Sequence, residues 1–143
     1  MDAKEVVLGF HRAAAKKDEY GVRKFLAPDI AWEDNGPPEM KGGGKFRGVD
    51  EVIAYIWGNI RDTRDLAITP QWTVSEGDKV VLLINEHAVI AETGRYYEIN
   101  SIHVYTVQDG VIVKFINYFD SMPLLRALYD VEFRELKGGA AHD

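Results

Sequence analysis

The chain has 143 residues, 46% of them hydrophobic and 28% charged, which is the composition of one folded domain and excludes a chain disordered throughout. With 17 basic against 23 acidic residues it carries a net charge of −6 and no basic cluster, which argues against nucleic acid or an anionic membrane as partner. The absence of cysteine excludes disulfides, thiolate metal sites and cysteine nucleophiles, and no apolar run reaches the roughly 18 residues of a membrane span.

The start reads as a helix. Ala3, Val6, Val7, Phe10, Ala13 and Ala14 recur at the spacing of one buried stripe, and Asp2 with Glu5 resembles a capping box. His11 falls on the polar side of this helix. The charged opening Met1-Asp2-Ala3-Lys4-Glu5 does not read as a signal peptide, so the expected location is cytoplasmic. Val22, Phe25 and Leu26 predict a short second helix stopped at Pro28. In Ile30-Ala31-Trp32-Glu33-Asp34, alternation puts Ile30, Trp32 and Asp34 on one face of a strand. A carboxylate on the same face as Trp and Ile is the first chemically informative feature.

Residues 35–48 read as a loop, with Gly42-Gly43-Gly44 in it. No Walker pattern surrounds the glycines, so a mobile flap over a pocket is expected rather than a phosphate cradle. Asp50 is placed to cap a third helix bearing Val52, Ile53, Ile56, Trp57 and Ile60. The charges from Arg61 to Asp65 read as its solvated end. Strands follow: Leu66–Val74, Val80–Ala91, Tyr96–Val107 and Val111–Phe119, with turns at Glu76-Gly77-Asp78, Thr93-Gly94 and Asp109-Gly110. Pro70 suits an edge strand or a bulge. Ser121 is placed to cap a last helix with Leu124, Leu125 and Leu128. Residues 1–133 are expected to form one domain and residues 134–143 a frayed tail. Helices grouped against a mostly antiparallel meander make an α+β fold.

Three stretches carry a family resemblance: Phe25–Asp34, Phe46-Arg47-Gly48-Val49-Asp50-Glu51-Val52, and Asp109–Val113 with Asn117-Tyr118-Phe119-Asp120. Together they resemble the superfamily of nuclear transport factor 2 (NTF2), ketosteroid isomerase and the SnoaL-like polyketide cyclases. The last stretch is also similar to limonene epoxide hydrolase. The resemblance implies a cone-shaped, curved sheet with three N-terminal helices and a short C-terminal one. It also implies an apolar pocket and a homodimer through the outer sheet face. The fold hosts many chemistries and also non-enzymes.

Asp34 matches the general base of the isomerases, and its apolar neighbours raise its pKa towards a useful base. The isomerases' helix-one tyrosine is matched here by Phe10, which cannot donate a hydrogen bond, and no acid stands at Ser101–His103. Asn117 replaces the acid of the epoxide hydrolases, and Asn85-Glu86-His87-Ala88-Val89 lacks their arginine. His103 shares a face with Ile99 and Ser101. Alternation sends Glu86 and His87 to opposite faces without saying which is inside. The expected catalytic set is Asp34, His103 and Asn117. The expected pocket wall is Phe10, Trp32, Tyr55, Trp57, Ile99, Ser101, Phe115, Phe119, Leu124 and Leu128. The histidines lack metal-ligand spacing, and neither metal nor cofactor is expected. The expected partner is a small apolar molecule bearing a carbonyl or hydroxyl. The expected function is cofactor-independent proton transfer (isomerisation, dehydration or cyclisation), with a non-catalytic binding or dimerisation module as the alternative.

Overall fold

The computed structural model describes residues 1–41 and 43–132. Four helices and six strands follow in the order α1 (Ala3–Ala15), α2 (Glu19–Lys24), β1 (Leu26–Asp34), β2 (Gly44–Arg47), α3 (Val49–Arg61), β3 (Thr63–Glu76), β4 (Lys79–Ile90), β5 (Tyr96–Gln108), β6 (Val111–Phe119) and α4 (Met122–Leu128). The strands form one curved, unclosed sheet in the order β2-β1-β6-β5-β4-β3. The β1–β6 pair is parallel and the other four pairs are antiparallel. This is the expected α+β architecture.

Local chemistry explains most boundaries. The Asp2 carboxylate accepts the Glu5 N–H at 2.8 Å and caps α1. Asp18 caps α2 in the same way through the Gly21 N–H. Asp109 and Gly110, with φ of 52° and 78°, make the β5–β6 hairpin turn. Pro70 sits beside a register shift on the edge strand β3.

The boundaries also correct several expectations. Pro28 does not stop a helix: α2 ends at Lys24, and Pro28 lies inside β1. The loop of residues 35–48 contains the short strand β2, because its backbone pairs with Ala31–Asp34. Asp50 does not cap α3. Gly48 holds that place at φ +88°, which an L side chain adopts only under strain, and Asp50 lies in the first turn. Ser121 takes the N-cap position of α4 without a side-chain bond, and the Asp120 carboxylate accepts the Met122 N–H instead. The charged run after α3 is not only a helix end, since β3 starts at Thr63 and pairs there with Ile90. The predicted tail lies outside the described residues.

The main core joins α1, α2 and α3 to the inner sheet face through Val6, Val7, Phe10, Ile30, Val52, Ile53, Leu82, Ile84, Tyr105, Ile112 and Phe115. A second cluster under α4 gathers Ala88, Ile90, Tyr97, Ile99 and Ala127, with Leu66, Phe119, Leu124 and Leu128 against it. Residues of both clusters line one cavity between them. No described helix is long and apolar enough to cross a membrane.

Gly9 shows how tightly the N-terminal helices pack. A Cβ there would lie 2.7 Å from the tip of the Phe25 ring. A Gly→Ala change inside a helix ordinarily stabilises by about 1 kcal/mol. Here overpacking dominates, and Gly9→Ala is expected to destabilise by about 1–3 kcal/mol in urea unfolding. A variant more stable than the parent would show that the Phe25 ring yields freely.

Candidate active site

The inner sheet face is built in rows by strand register. Asp34 on β1 pairs with Asn117 on β6, which pairs with His103 on β5. One register step away, Trp32, Phe115 and Tyr105 form a parallel aromatic row. The polar row therefore lies against an apolar one, with the Trp32 and Phe115 rings 3.9 Å apart between centroids.

All six of these side chains line the cavity of about 790 Å³, which suits a drug-sized molecule. Phe10, Tyr55, Ile99, Phe119, Leu124 and Leu128 line it as well. Two expected wall residues do not. Trp57 packs against the main core instead, and Ser101 is buried behind the wall with its hydroxyl unpartnered. The loop after β1 reaches the cavity through Lys41, whose ammonium pairs with Asp62 at 2.9 Å. The flap reading of the three glycines falls partly outside the described residues, at Gly42.

Asp34 is 5% exposed. Asn117 donates from Nδ2 to Asp34 Oδ1 at 2.7 Å. Burial pushes the Asp34 carboxyl above its ordinary range, against hydrogen bonds from Tyr55 and Asn117 that favour the anion. The Trp32 indole pulls weakly in the same direction but closes no hydrogen bond. Tyr55 is itself held well above a normal phenol by burial and by the Asp34 charge. One of the two Nδ2 hydrogens of Asn117 is given to Asp34, and its Oδ1 has no partner.

A second polar group runs from α1 into the sheet. The Tyr105 hydroxyl lies 2.8 Å from His11 Nε2 and 3.3 Å from His103 Nδ1. Burial pushes His11 down to about 4, and it holds His103 well below its ordinary value, so both imidazoles are neutral at neutral pH. This corrects the placement of His11 on a polar face. The residue lies one helical turn beyond the buried Val7 and lines the cavity.

Sequence reasoning left Glu86 undecided and did not single out Tyr97. Glu86 faces inward with Leu82, Ile84, Ala88 and Ile90, and period two from those apolar residues was the available signal. His87 faces outward, its ring 6.1 Å from Tyr96. The Tyr97 hydroxyl donates to Glu86 Oε2 at 2.7 Å. Glu86 is partly accessible and lines the cavity. Burial raises its pKa against the Tyr97 bond, and the Asp34 charge raises it further. Two carboxyls that both resist ionisation thus share one aromatic chamber. Among the described residues no group of three or more metal-ligating side chains is present.

The SnoaL-like domain family matches residues 7–115, and the chain belongs to that family. No curated protein matches it. An NTF2-like protein of unknown function from Burkholderia pseudomallei K96243 is 28% identical, with a TM-score of 0.80 over 91% of this chain and 100% of that one. An NTF2-like protein from Burkholderia thailandensis E264 is 20% identical, with a TM-score of 0.82 over 91% and 99%. TerC, co-crystallised with polyporic acid, is 18% identical, with a TM-score of 0.78 over 88% and 97%. The superfamily and the fold expected from the sequence are thereby established.

The buried groups make stability depend on pH in two opposite senses. A histidine lowered from 6.5 to about 4 leaves the native state binding fewer protons than the unfolded chain in that window. The His11 contribution is therefore lost as pH falls, on the order of 3 kcal/mol between the two values. The raised carboxyls act oppositely, and their contribution is lost as pH rises above the ordinary carboxylate range. Urea unfolding of His11→Gln is expected to lose the His11 share of the acid-side dependence and to leave the His103 share in place. An unchanged slope between pH 6.5 and 4 would mean that His11 is charged in the fold.

Proposed function

We propose that this SnoaL-like chain is a cofactor-independent enzyme that moves a proton on a small, largely apolar molecule carrying a carbonyl or hydroxyl. The observation that carries this reading is Asp34, a carboxyl buried in the aromatic wall of a cavity of about 790 Å³. Desolvation raises the basicity of Asp34, while Asn117 and Tyr55 hold its orientation. As base, Asp34 would take a proton from the carbon next to a carbonyl, becoming a carboxylic acid and leaving an enolate. It would then return that proton at the same or another carbon, so no oxidant, metal or cofactor is consumed. Isomerisation ends in that way; in dehydration the proton leaves with the β-hydroxyl as water, and in aldol-type cyclisation it goes to the new alkoxide oxygen. TerC, of the same fold, was crystallised with polyporic acid, which is in keeping with a cone that admits aromatic oxygen compounds.

A specific observation favours a second reading, in which the cavity binds a ligand without chemistry. Phe10 has no hydroxyl, so the helix-one donor that an enolate would draw on is missing, and Asn117 already commits one of its two N–H groups to Asp34. Hydrogen–deuterium exchange distinguishes the two. A panel of aryl alkyl ketones is incubated in deuterated buffer with the protein, and α-deuteration is read by mass spectrometry. Exchange above the buffer rate is expected, with a fall of at least about a hundredfold in Asp34→Asn. Binding without exchange, or exchange that Asp34→Asn leaves intact, would refute the catalytic reading.

We also propose that two copies pair through the outer sheet face. Two register rows cross that face with apolar side chains: Trp72, Leu83, Ile102 and Tyr118, and beside them Val74, Val81, Val104 and Ile116. Trp72, Val74 and Tyr118 are 48%, 57% and 47% exposed, more apolar surface than scattered single residues explain. Sedimentation is expected to give a dimer that Trp72→Glu with Tyr118→Glu converts to monomer. A monomeric parent would remove the proposal.

A further inference from the structure

Of the five carboxyls that line the cavity, Asp34, Asp62, Asp65, Glu86 and Glu92, only Asp34 and Glu86 are held above the ordinary carboxylate range, and the proton-transfer reading leaves Glu86 without a task. Its Oε2 accepts from the Tyr97 hydroxyl, and Oε1 has no hydrogen-bond partner among the described residues. The side chain comes from β4, where Glu86 pairs with Ile99 on one side and Ile68 on the other. All three of these residues line the cavity. A free carboxyl oxygen is thus presented from an apolar row, two strands away from β6 and three from the strand that carries Asp34.

We propose that Glu86 is the hydrogen-bond donor to the carbonyl oxygen of the ligand, working from the wall of the same cavity as Asp34, with Tyr97 fixing its carboxyl. The proposal rests on the reading of the cavity as a carbonyl site and names the group that holds the oxygen. The geometry divides the labour. Tyr97 fills one carboxyl oxygen as donor, so the acid proton resides on Oε1, the oxygen that faces free space. A carboxylic acid there donates to an acceptor and strengthens its bond as that acceptor gains negative charge. No atom is transferred, because the proton stays with Glu86 while Asp34 exchanges one with carbon. Burial supports the acid form, and so does the Asp34 charge. The charged or titratable groups whose influence meets Glu86 are Asp34 from β1, Tyr97 from β5 and Tyr55 from α3. None of them is a cation that would favour the ionised form. Tyr97 is a positioning residue.

Two isosteric probes test this without knowledge of the natural ligand: 2-acetylnaphthalene, which has a carbonyl oxygen, and 2-isopropenylnaphthalene, which has a methylene in its place. At pH 5 the ketone is expected to bind about tenfold more tightly than the alkene. That preference is expected to fall as pH rises through the Glu86 titration. Glu86→Ala should abolish it at every pH. Glu86→Gln, whose amide still donates but does not titrate, should keep it at every pH, a result that a merely structural role would not produce. Tyr97→Phe should weaken it. Carboxyl carbon NMR on the unliganded protein gives a second readout. The Glu86 midpoint should lie above the ordinary glutamate range, and Asp34→Asn should lower it. Equal affinity for the two probes, no binding of either, a preference that survives Glu86→Ala, or an ordinary midpoint would each overturn the proposal. The outcome is separable from that of Asp34. A preference with no α-exchange refutes proton transfer and leaves the donor role standing, and exchange without a preference does the reverse.

Discussion

The hydrogen bond from Asn117 to Asp34 is the contact on which the rest of the site depends. It spans the parallel β1–β6 pair, the one place where the N-terminal half of the chain enters the sheet formed by the C-terminal half. A carboxylate buried without partners would cost several kcal/mol. Here its charge is met by the Asn117 amide and the Tyr55 hydroxyl, one from the sheet and one from α3. The bond therefore does two things. It makes burial of Asp34 tolerable, and it fixes the direction in which the carboxyl presents itself. It also commits one of the two Asn117 N–H groups.

The fold gives up packing to keep this chamber. The main core and the cluster beneath α4 are separate, and the space between them is lined by residues of both. A filled core would be more stable, since empty apolar volume forfeits dispersion contacts on one side of every wall residue. The antiparallel strands β3–β6 are long enough to bear that loss, because their backbone ladders close independently of what lies on the inner face. The site is therefore carried on rigid strands rather than on loops. Its composition can change row by row while the sheet persists, which is how one fold comes to host different chemistries.

Much of this was legible in the sequence, for a simple reason. Strand parity has no freedom, so once Ile30 and Trp32 face inward, Asp34 must follow, and the same holds for Phe115, Asn117 and Phe119. What parity cannot supply is phase where the anchoring residues are ambiguous. Leu82, Ile84, Ala88 and Ile90 would have settled Glu86 against His87, but Val81, Leu83 and Val89 alternate with them and are apolar too. The reason is physical: the outer face is itself apolar, so both faces of β4 look like a core face. Helices lose more. His11 sits at the margin of the α1 stripe, where a polar residue reads as solvated, and only the approach of Tyr105 from β5 shows otherwise. Trp57 and Ser101 fail in the opposite way. They share a face with pocket residues yet lie along or behind the wall, because periodicity gives a direction and not a depth.

The His11–Tyr105–His103 chain adds a constraint that neither imidazole would have alone. One phenol hydrogen lies between two neutral rings, so the hydroxyl can donate to only one and must accept from the other. The contacts at 2.8 Å to His11 and 3.3 Å to His103 therefore run in opposite directions, and the tautomer of each ring follows from which one receives the phenol hydrogen. His103 Nε2 has no partner, and it carries a lone pair or a proton according to that choice. Its register neighbour Asn117 likewise ends in an unpartnered oxygen. A single hydroxyl hydrogen thus couples the tautomer of His11 on α1 to that of His103 on β5 across the wall of the cavity.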